Sequence, residues 1–227
     1  MFSAAVDRYW RTVFDGPYAG VPFRFVVSPG LDDGLRLVTL TSPDGSVAAA
    51  TTPATAAEIG CPADAAALHV ALAAAGLRLH GADHVFYLPE ASHADRRPAR
   101  PDVRRLGEGD VEAFHRFEAR ATAEDLDAAL VDLDDDVAVG AFDGDRLVAV
   151  GSSYRFEDSA LWDLGVLTLP EHRGRGYGLA VVDALSHAAF EAGGEPQYRC
   201  QTDNAASIAL AARAGFVRFA DWDLVQS

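Results

Sequence analysis

The chain has 227 residues, with 19 basic and 34 acidic side chains, a formal net charge of −15 and 49% hydrophobic residues. This length and apolar content are enough for a substantial core, which excludes a disordered protein. The charge argues against a nucleic-acid binder, because such proteins neutralise phosphates. No apolar run reaches the roughly 18–20 residues that span a bilayer, and no signal-peptide pattern follows Met1, so we predict a cytoplasmic protein without membrane contact.

A proline-rich seam between Leu88 and Asp102 predicts two domains. Pro89, Pro98 and Pro101, with Arg96 and Arg97 between them, oppose both a helix and a central strand. We therefore predict an N-terminal α/β domain of unknown role over residues 1–97 and a C-terminal domain over residues 98–227.

Alternating hydrophobic patterns and turn residues predict a small α/β arrangement in the first domain. The predicted helices span Val6–Phe14 and Ala63–Leu79. The predicted strands span Phe23–Val27, Leu35–Thr41, Ser46–Thr51 and Asp83–Leu88, with a turn at Ser42-Pro43-Asp44-Gly45. Nothing in this domain points to a particular chemistry.

The second domain has a more regular pattern of elements. Strands are predicted over Val103–Leu106, Val137–Phe142, Arg146–Ser153, Leu161–Leu169 and Gln197–Gln201, and a final strand or hairpin over Phe216–Leu224. Helices are predicted over Asp110–Arg120, where Asp110 is the expected N-cap, and over Ala123–Val131, Tyr177–Ala192 and Ala205–Arg213. The two strands around Asp143-Gly144-Asp145 are expected to form an antiparallel hairpin.

A glycine-rich turn joins the strand ending at Leu169 to the helix beginning at Tyr177. Gly174, Gly176 and Gly178 remove the Cβ atoms that would keep an anion away, and the first N–H groups of the helix have no partner within it. The positive end of the helix dipole lies behind these N–H groups. The turn therefore predicts a binding site for a diphosphate, with Arg173 and Arg175 adding positive charge.

Two other phosphate-binding motifs do not fit this turn. A Walker A loop requires a lysine, and all 19 basic residues are arginine. The dinucleotide fingerprint requires glycines at its first, third and sixth places inside an early βαβ unit, whereas here they occupy the first, third and fifth places late in the chain. A glycine-rich connector that binds nothing is the remaining alternative.

This segment resembles the GCN5-related N-acetyltransferases, the GNAT superfamily. Arg173, Gly176 and Gly178 match the Gln/Arg-x-x-Gly-x-Gly/Ala cofactor motif of that family. Downstream, Asn204-x-x-Ser207-x-x-Leu210 and Gly215-Phe216 match as well. The resemblance covers residues from about 103 to the C-terminus, and it implies an α/β (α+β) fold with a mixed, mostly antiparallel sheet flanked by helices.

The resemblance also implies a set of residues that bind acetyl-CoA. Strand residues would contact the pantetheine arm and offer an N–H group to the thioester oxygen, and the turn would surround the diphosphate. Asn204 and Ser207 would contact the pantetheine and adenosine side, although Asn204 is equally suited to capping the helix that follows it. The implied residues are Val166, Leu167, Thr168, Arg173, Gly174, Arg175, Gly176, Tyr177, Gly178, Leu179, Asn204 and Ser207.

Asp163 is the candidate general base, because it lies on the same strand as the expected thioester contacts. The alternative is that Asp163 pairs with a neighbouring arginine. His172 is a second candidate, although its place in the turn suggests contact with solvent or phosphate, and Tyr154 and Glu157 are expected near the acceptor. Many family members have a tyrosine acid where this chain has Ala211.

The second predicted helix of this domain and the loop after it form an acidic segment, and the resemblance implies that this segment flanks the acceptor groove. It contains seven carboxylates without a basic residue: Glu124, Asp125, Asp127, Asp132, Asp134, Asp135 and Asp136. This segment either attracts a cationic acceptor or is simply a solvated surface. Cys61 and Cys200 are far apart in sequence and lack a CxxC motif, so we predict two reduced, packed thiols and no metal site.

We therefore predict an N-acetyltransferase that moves an acetyl group from acetyl-CoA to a primary amine by direct attack. The acceptor is a small molecule or a peptide, cationic if the acidic segment recognises it, and the protein is a monomer or a homodimer. A non-catalytic acyl-CoA-binding sensor is the alternative, and transfer to oxygen or transfer of a longer acyl group is a third.

Overall fold

The computed structural model of the chain describes residues 1–31, 34–94 and 100–226. They divide into two compact units. The larger unit contains Met1–Ala5, Tyr87–Arg199 and Ala206–Val217, and the smaller unit contains Val6–Phe86, Cys200–Ala205 and Arg218–Ser227. The predicted domain boundary between residues 97 and 98 lies outside the described residues, as do Arg96, Arg97 and Pro98, so that boundary stays a prediction.

The described residues form ten strands and seven α-helices. The strands are β1 (Phe23–Val27), β2 (Leu35–Thr41), β3 (Val47–Thr51), β4 (Asp83–Tyr87), β5 (Val103–Arg105), β6 (Val137–Asp143), β7 (Arg146–Arg155), β8 (Leu161–Thr168), β9 (Glu195–Gln201) and β10 (Val217–Gln226). The helices are α1 (Ala4–Val13), α2 (Pro53–Ile59), α3 (Ala65–Ala74), α4 (Val111–Glu118), α5 (Ala123–Ala129), α6 (Tyr177–Glu191) and α7 (Ala205–Ala214).

The smaller unit is an α/β arrangement with its strands in the order β1-β3-β2-β10-β4. β1 is parallel to β3, while β2 is antiparallel to β3 and to β10. Apolar side chains from the strands and from α2 and α3 form one core, which contains Leu37, Ala49, Ile59, Leu68, Leu72 and Val225. The α/β character predicted for the first part of the chain is therefore confirmed.

The prediction of one long helix over Ala63–Leu79 is wrong in its bounds. α3 ends at Ala74, because Gly76 takes a left-handed φ of 71° that stops the helix. An additional helix, α2, begins after Thr52, whose hydroxyl accepts a hydrogen bond from the Thr55 N–H group at 3.2 Å. Pro53 in the first turn supplies a pre-set φ and needs no donor there.

The larger unit contains the strands β9-β8-β7-β6-β5 in that order. β8 and β9 are parallel, and the other neighbours are antiparallel, including the hairpin of β6 and β7 that the sequence predicted. Side chains alternate between the two faces of β7: Val150 packs with Phe114 and Phe117 of α4 on one face. On the other face, a Cβ on Gly151 would lie 2.7 Å from Val181 Cγ1 of α6. The predicted mixed sheet flanked by helices is confirmed.

Asp110 is the N-cap residue of α4, as expected, but its side chain makes no hydrogen bond to the first turn of that helix. A short 3₁₀ turn, Glu108–Asp110, precedes the helix and takes the Asp110 side chain as its own cap. The Asp110 carboxylate accepts the Gly107 N–H group at 3.1 Å and both terminal nitrogens of Arg104 at 2.8 and 2.6 Å. These hydrogen bonds from Arg104 lower the pKa of Asp110 below its ordinary value.

Two smaller expectations are also settled. β10 is one continuous strand and not a hairpin. Cys200 is buried and Cys61 is exposed, both without a disulfide, so the prediction of two packed thiols is wrong for Cys61. In the part of the chain that the structure describes, no helix combines the length and apolar character needed for a bilayer crossing, and no cluster of three potential metal-binding side chains is found.

Candidate active site

The parallel pairing of β8 with β9 ends part-way along β8. Four residue pairs join the two strands, from Leu161–Glu195 to Leu164–Tyr198, and β8 then continues to Thr168 on its antiparallel partner β7. Gly165, Val166 and Thr168 are partly exposed in this second half, while Leu167 is buried among Phe114 and its neighbours. The edge of β8 that faced β9 therefore has backbone N–H and C=O groups available to a ligand.

The turn after β8 leads directly into the amino-terminal end of α6. Gly174 and Gly176 have φ values of 76° and 84°, a region that L-residues with side chains rarely adopt. Gly176 is the N-cap of α6, and no side chain forms a capping hydrogen bond there. The N–H groups of Tyr177, Gly178 and Leu179 therefore point out of the helix end without intrahelical partners, which is the arrangement that binds phosphate groups.

Gly178 holds this helix end against the end of β8. A Cβ on Gly178 would lie 2.9 Å from Thr168 Oγ1 and 3.5 Å from Leu210 Cδ2 of α7. A side chain at this position would therefore conflict with the Thr168 side chain at the present spacing of the strand and the helix. The open edge of β8 and the helix end thus lie side by side because residue 178 is glycine.

The arginines of the turn are partly neutralised. Arg173 donates from Nε to the Thr168 carbonyl oxygen at 3.0 Å and from Nη2 to Asp125 of α5 at 2.8 Å. Arg175 is exposed, with Nη1 3.8 Å from Asp143 Oδ2. Arg173 therefore fixes the turn to the sheet and to α5, a structural role that the motif alone did not predict.

Arg100 is a basic residue near the helix end that the sequence analysis did not single out. Its Nη1 atom lies 3.4 Å from the place of a Cβ on Gly176, and its guanidinium lies 5.1 Å from the centre of the Tyr177 ring. Asp102 accepts two hydrogen bonds from Arg100, at 2.9 and 2.5 Å, and these lower the pKa of Asp102. Arg100 is far from the turn in sequence, so only the folded structure reveals its position.

His172 does not face solvent, contrary to the expectation. Its side chain is buried against the Tyr177 ring, and its Nδ1 atom lies 3.6 Å from Asp143 Oδ2. This burial leaves His172 inside the base of the turn, where it supports the first residue of α6.

Asp163 is buried and held by a closed set of hydrogen bonds. Arg199 donates Nε to Oδ1 at 3.0 Å and Nη2 to Oδ2 at 2.5 Å, and the two side chains are only 16% and 9% exposed. Gln197 and Tyr154 each donate a further hydrogen bond, both at 3.1 Å. The structure thus places Asp163 in the arginine pair that the sequence left open as its alternative, and its oxygens are occupied.

Tyr154 lies on the same face of the sheet as Asp163, directly opposite it on β7. Burial, together with the negative charge on Asp163, raises the pKa of Tyr154 to about 12. Tyr154 therefore keeps its proton near neutral pH. Glu157 lies in the short turn after β7, where its φ is 46°.

The residues expected on the adenosine side occupy α7 and the loop before it. The hydroxyls of Ser207 and Tyr198 lie 2.8 Å apart, so Ser207 contacts β9. Asn204 is half-buried, and its N–H group donates to the Gln201 carbonyl oxygen at 3.0 Å. Their contacts with a coenzyme stay predictions. Ala211 is fully buried, so its position in α7 faces the interior.

The carboxylates of the acidic segment differ in their surroundings, and Asp125 is the one paired with Arg173. Glu124, Asp127 and Asp134 are exposed, whereas Asp135 is half-buried and accepts a hydrogen bond from the Ser152 hydroxyl at 2.5 Å. Ser152 also accepts the Asp132 N–H group at 3.0 Å. Ser152 lies opposite Gly165 on β8, so this loop is attached to the sheet where the pairing of β8 with β9 has just ended.

Comparison with known proteins agrees with this architecture. The model of the acetyltransferase (GNAT) family matches residues 102–216. No curated protein matches the sequence of this chain.

Several solved structures share the fold at low sequence identity. A GNAT-family protein from Novosphingobium aromaticivorans has a TM-score of 0.50 at 20% identity, covering 66% of this chain and 65% of its own. One from Colwellia psychrerythraea has a TM-score of 0.51 at 19% identity, covering 66% and 57%. A GCN5-related N-acetyltransferase from Kribbella flavida has a TM-score of 0.50 at 18% identity, covering 70% and 63%. This chain thus spans less than two thirds of the length of each of these proteins.

Proposed function

This chain belongs to the acetyltransferase (GNAT) family, and from that premise we propose that it transfers an acetyl group from acetyl-CoA to a primary amine. The observation that supports the proposal most is the contact between Gly178 and Thr168, which places the helix end beside the open edge of β8. A diphosphate on the helix end would leave the rest of the coenzyme next to that edge. The residues from Gly165 to Thr168 extend about 10 Å, at the usual rise of a strand.

The backbone supplies most of the proposed chemistry. N–H groups on the open edge of β8 would bind the pantetheine amides and the thioester oxygen, and this last contact favours the charge that develops on the oxygen as the amine attacks. The leaving thiol has an ordinary pKa of about 8.5, so that it departs readily as a thiolate. The reaction therefore does not require the tyrosine that Ala211 replaces.

The attacking amine, unlike the leaving thiol, must lose a proton before it can react. An alkyl amine with a pKa of about 10.4 is neutral in only about one molecule in 2,500 at pH 7. The acidic segment beside α5 would attract a cationic acceptor, for example a polyamine, an aminoglycoside or a peptide amino terminus. A group that takes the extra proton then speeds the attack.

A non-catalytic acyl-CoA sensor is the second candidate. The buried Ala211 favours it, because that position offers no acid to the leaving thiolate. The sensor would use the same helix end and strand edge, and it would differ only in the absence of turnover.

Two measurements separate these possibilities. Calorimetry with coenzyme A and acetyl-CoA tests binding, and release of free thiol in the presence of the three amine classes tests transfer. We expect binding together with amine-dependent thiol release. Binding without thiol release across the panel would favour the sensor, and the absence of binding would exclude both candidates.

A further inference from the structure

We propose that Asp135 accepts the proton of the acceptor ammonium group, so that it is the catalytic base of this site. The inference rests on the proposed acetyl transfer. It is carried by the position of Asp135, in a loop that Ser152 holds against the sheet, and by the occupied oxygens of Asp163.

Asp163 is not suited to be the base. Its two oxygens accept hydrogen bonds from Arg199, Gln197 and Tyr154, and its charge is balanced by the Arg199 guanidinium. Both carboxylate oxygens are therefore occupied by donors, and an ammonium group could reach either oxygen only by displacing one of these hydrogen bonds. Asp163 therefore acts as a structural anchor for β8 and β9.

The loop after α5 holds Asp135 beside the open half of β8. Gly165 has no side chain, and a Cβ there would lie 2.3 Å from the Ala129 carbonyl oxygen at the end of α5. The chain after α5 thus lies directly on β8, and the Ser152 hydroxyl holds Asp135 there through Oδ2. Ser152 is paired with Gly165, the first residue of β8 beyond the last pair with β9.

The surroundings of Asp135 leave it able to accept a proton. Its Oδ1 atom has no hydrogen bond within the described residues, so one oxygen is available to an ammonium group. Burial raises the pKa of Asp135, the hydrogen bond from Ser152 opposes that rise, and the charges of Asp132, Asp136 and Asp163 add to it. Asp135 is thus a stronger base than an ordinary surface aspartate.

The reaction balances with Asp135 in this role. A proton passes from the acceptor ammonium group to Asp135 Oδ1, and the freed nitrogen lone pair forms a bond to the thioester carbon. The carbon–sulfur bond breaks and its electron pair leaves on the thiolate. The second proton of the attacking nitrogen neutralises the thiolate, and Asp135 returns the first proton to water.

The test compares Asp135→Asn with Asp134→Asn, which removes the same charge from an exposed neighbour. We expect Asp135→Asn to lower kcat about 100-fold at pH 7, with unchanged affinity for acetyl-CoA and with the acidic limb of the kcat/KM profile lost. The deficit should shrink near pH 10, where the amine loses its own proton. Asp134→Asn should change the acceptor KM and keep the acidic limb.

The outcomes distinguish this inference from the function on which it rests. If the unaltered protein transfers acetyl groups and Asp135→Asn keeps its kcat and its acidic limb, Asp135 is not the base while the proposed function stands. An equal loss of kcat in both variants would assign the effect to the local field and also overturn the inference. If the unaltered protein shows no transfer, both proposals fail together.

Discussion

The two halves of β8 differ in what lies at their edges. From Leu161 to Leu164 the strand is paired on both sides, and its buried carboxylate is bound by Arg199. From Gly165 to Thr168 it is paired with β7 only, and three of its four residues are partly exposed. One strand thus provides both a rigid anchor and an open edge, and the anchor keeps that edge in place although half of its hydrogen-bonding groups lack a strand partner.

The comparison extends to two carboxylates, Asp163 and Asp135. Asp163, in the anchored half, is balanced by the largely buried Arg199 guanidinium, whereas the described residues around Asp135, beside the open half, contribute a serine hydroxyl and further negative charges. Removing the first should therefore cost stability, and removing the second should cost activity.

The largest expected effect is the loss of stability when the Asp163–Arg199 pair is broken. Asp163→Ala removes the carboxylate that balances the largely buried Arg199 charge, so we expect the free energy of unfolding to fall by about 3–5 kcal/mol. Urea unfolding measures the change. Glu112→Ala, which breaks a fully exposed pair with Arg116, is the control and should cost less than about 0.5 kcal/mol. Equal losses in the two variants would show that the Asp163 pair does not anchor the strand.

The next effect concerns the helix end beside the open half. Leu179→Pro deletes one N–H group in the first turn of α6, a position where proline is compatible with the helix. We expect the affinity for coenzyme A to fall about 10- to 100-fold, since a hydrogen bond to a charged group contributes about 1.5–3 kcal/mol. Leu179→Ala removes the same side chain and keeps the N–H group. If calorimetry gives equal affinities for the two variants, the diphosphate does not bind this N–H group.

The close approach of Gly178 to Thr168, which joins the end of α6 to the open half of β8, should be sensitive to side-chain volume. Gly178→Ala places a Cβ 2.9 Å from Thr168 Oγ1, so we expect a loss of about 1–2 kcal/mol in stability and weaker coenzyme binding. Thr168→Ala removes the obstructing oxygen, and the double variant should recover most of the loss. Thermal unfolding and calorimetry on the four proteins measure the recovery. Additive losses in the double variant would show that the two side chains are not in conflict.

The smallest effect is a pH dependence at Asp135. Because its pKa is raised in the folded chain above the ordinary value of 3.8, ionisation of Asp135 lowers stability as the pH rises through the raised pKa. Asp135→Asn removes this cost while its amide oxygen can still accept the Ser152 hydrogen bond. The variant should therefore be more stable than the parent at pH 7 and equal to it below pH 3.8. Urea unfolding at both pH values measures the difference, and a less stable variant at pH 7 would contradict the raised pKa.

The local signals of the sequence predicted the framework well. The hairpin around Asp143-Gly144-Asp145 and the turn from Pro170 to Gly176 are determined by residues close together in the chain, and the structure has both. The helix α2 was missed, because its seven residues are too few for a clear hydrophobic periodicity. In the sequence, only the N-cap residue Thr52 and the following Pro53 indicate its start.

The contacts that decide the chemistry could not be predicted in the same way. The pair of Asp163 and Arg199 joins residues 36 positions apart, and it depends on the register of β8 with β9. The link from Asp135 to Ser152 likewise depends on the path of the loop after α5. Seven acidic residues in one segment look alike in sequence, and only the folded structure shows that Asp125 pairs with Arg173 and that Asp135 is half-buried against the Ser152 hydroxyl.

The guanidinium of Arg199 has a consequence for the durability of the proposed enzyme. A cation is required next to Asp163, yet an amine in that place would itself be a nucleophile within reach of an activated acyl group. A guanidinium stays protonated at any physiological pH and does not attack a thioester. The same holds for every basic side chain of these 227 residues, since all 19 are arginine. The positive charges of these arginines thus cannot be consumed by self-acylation.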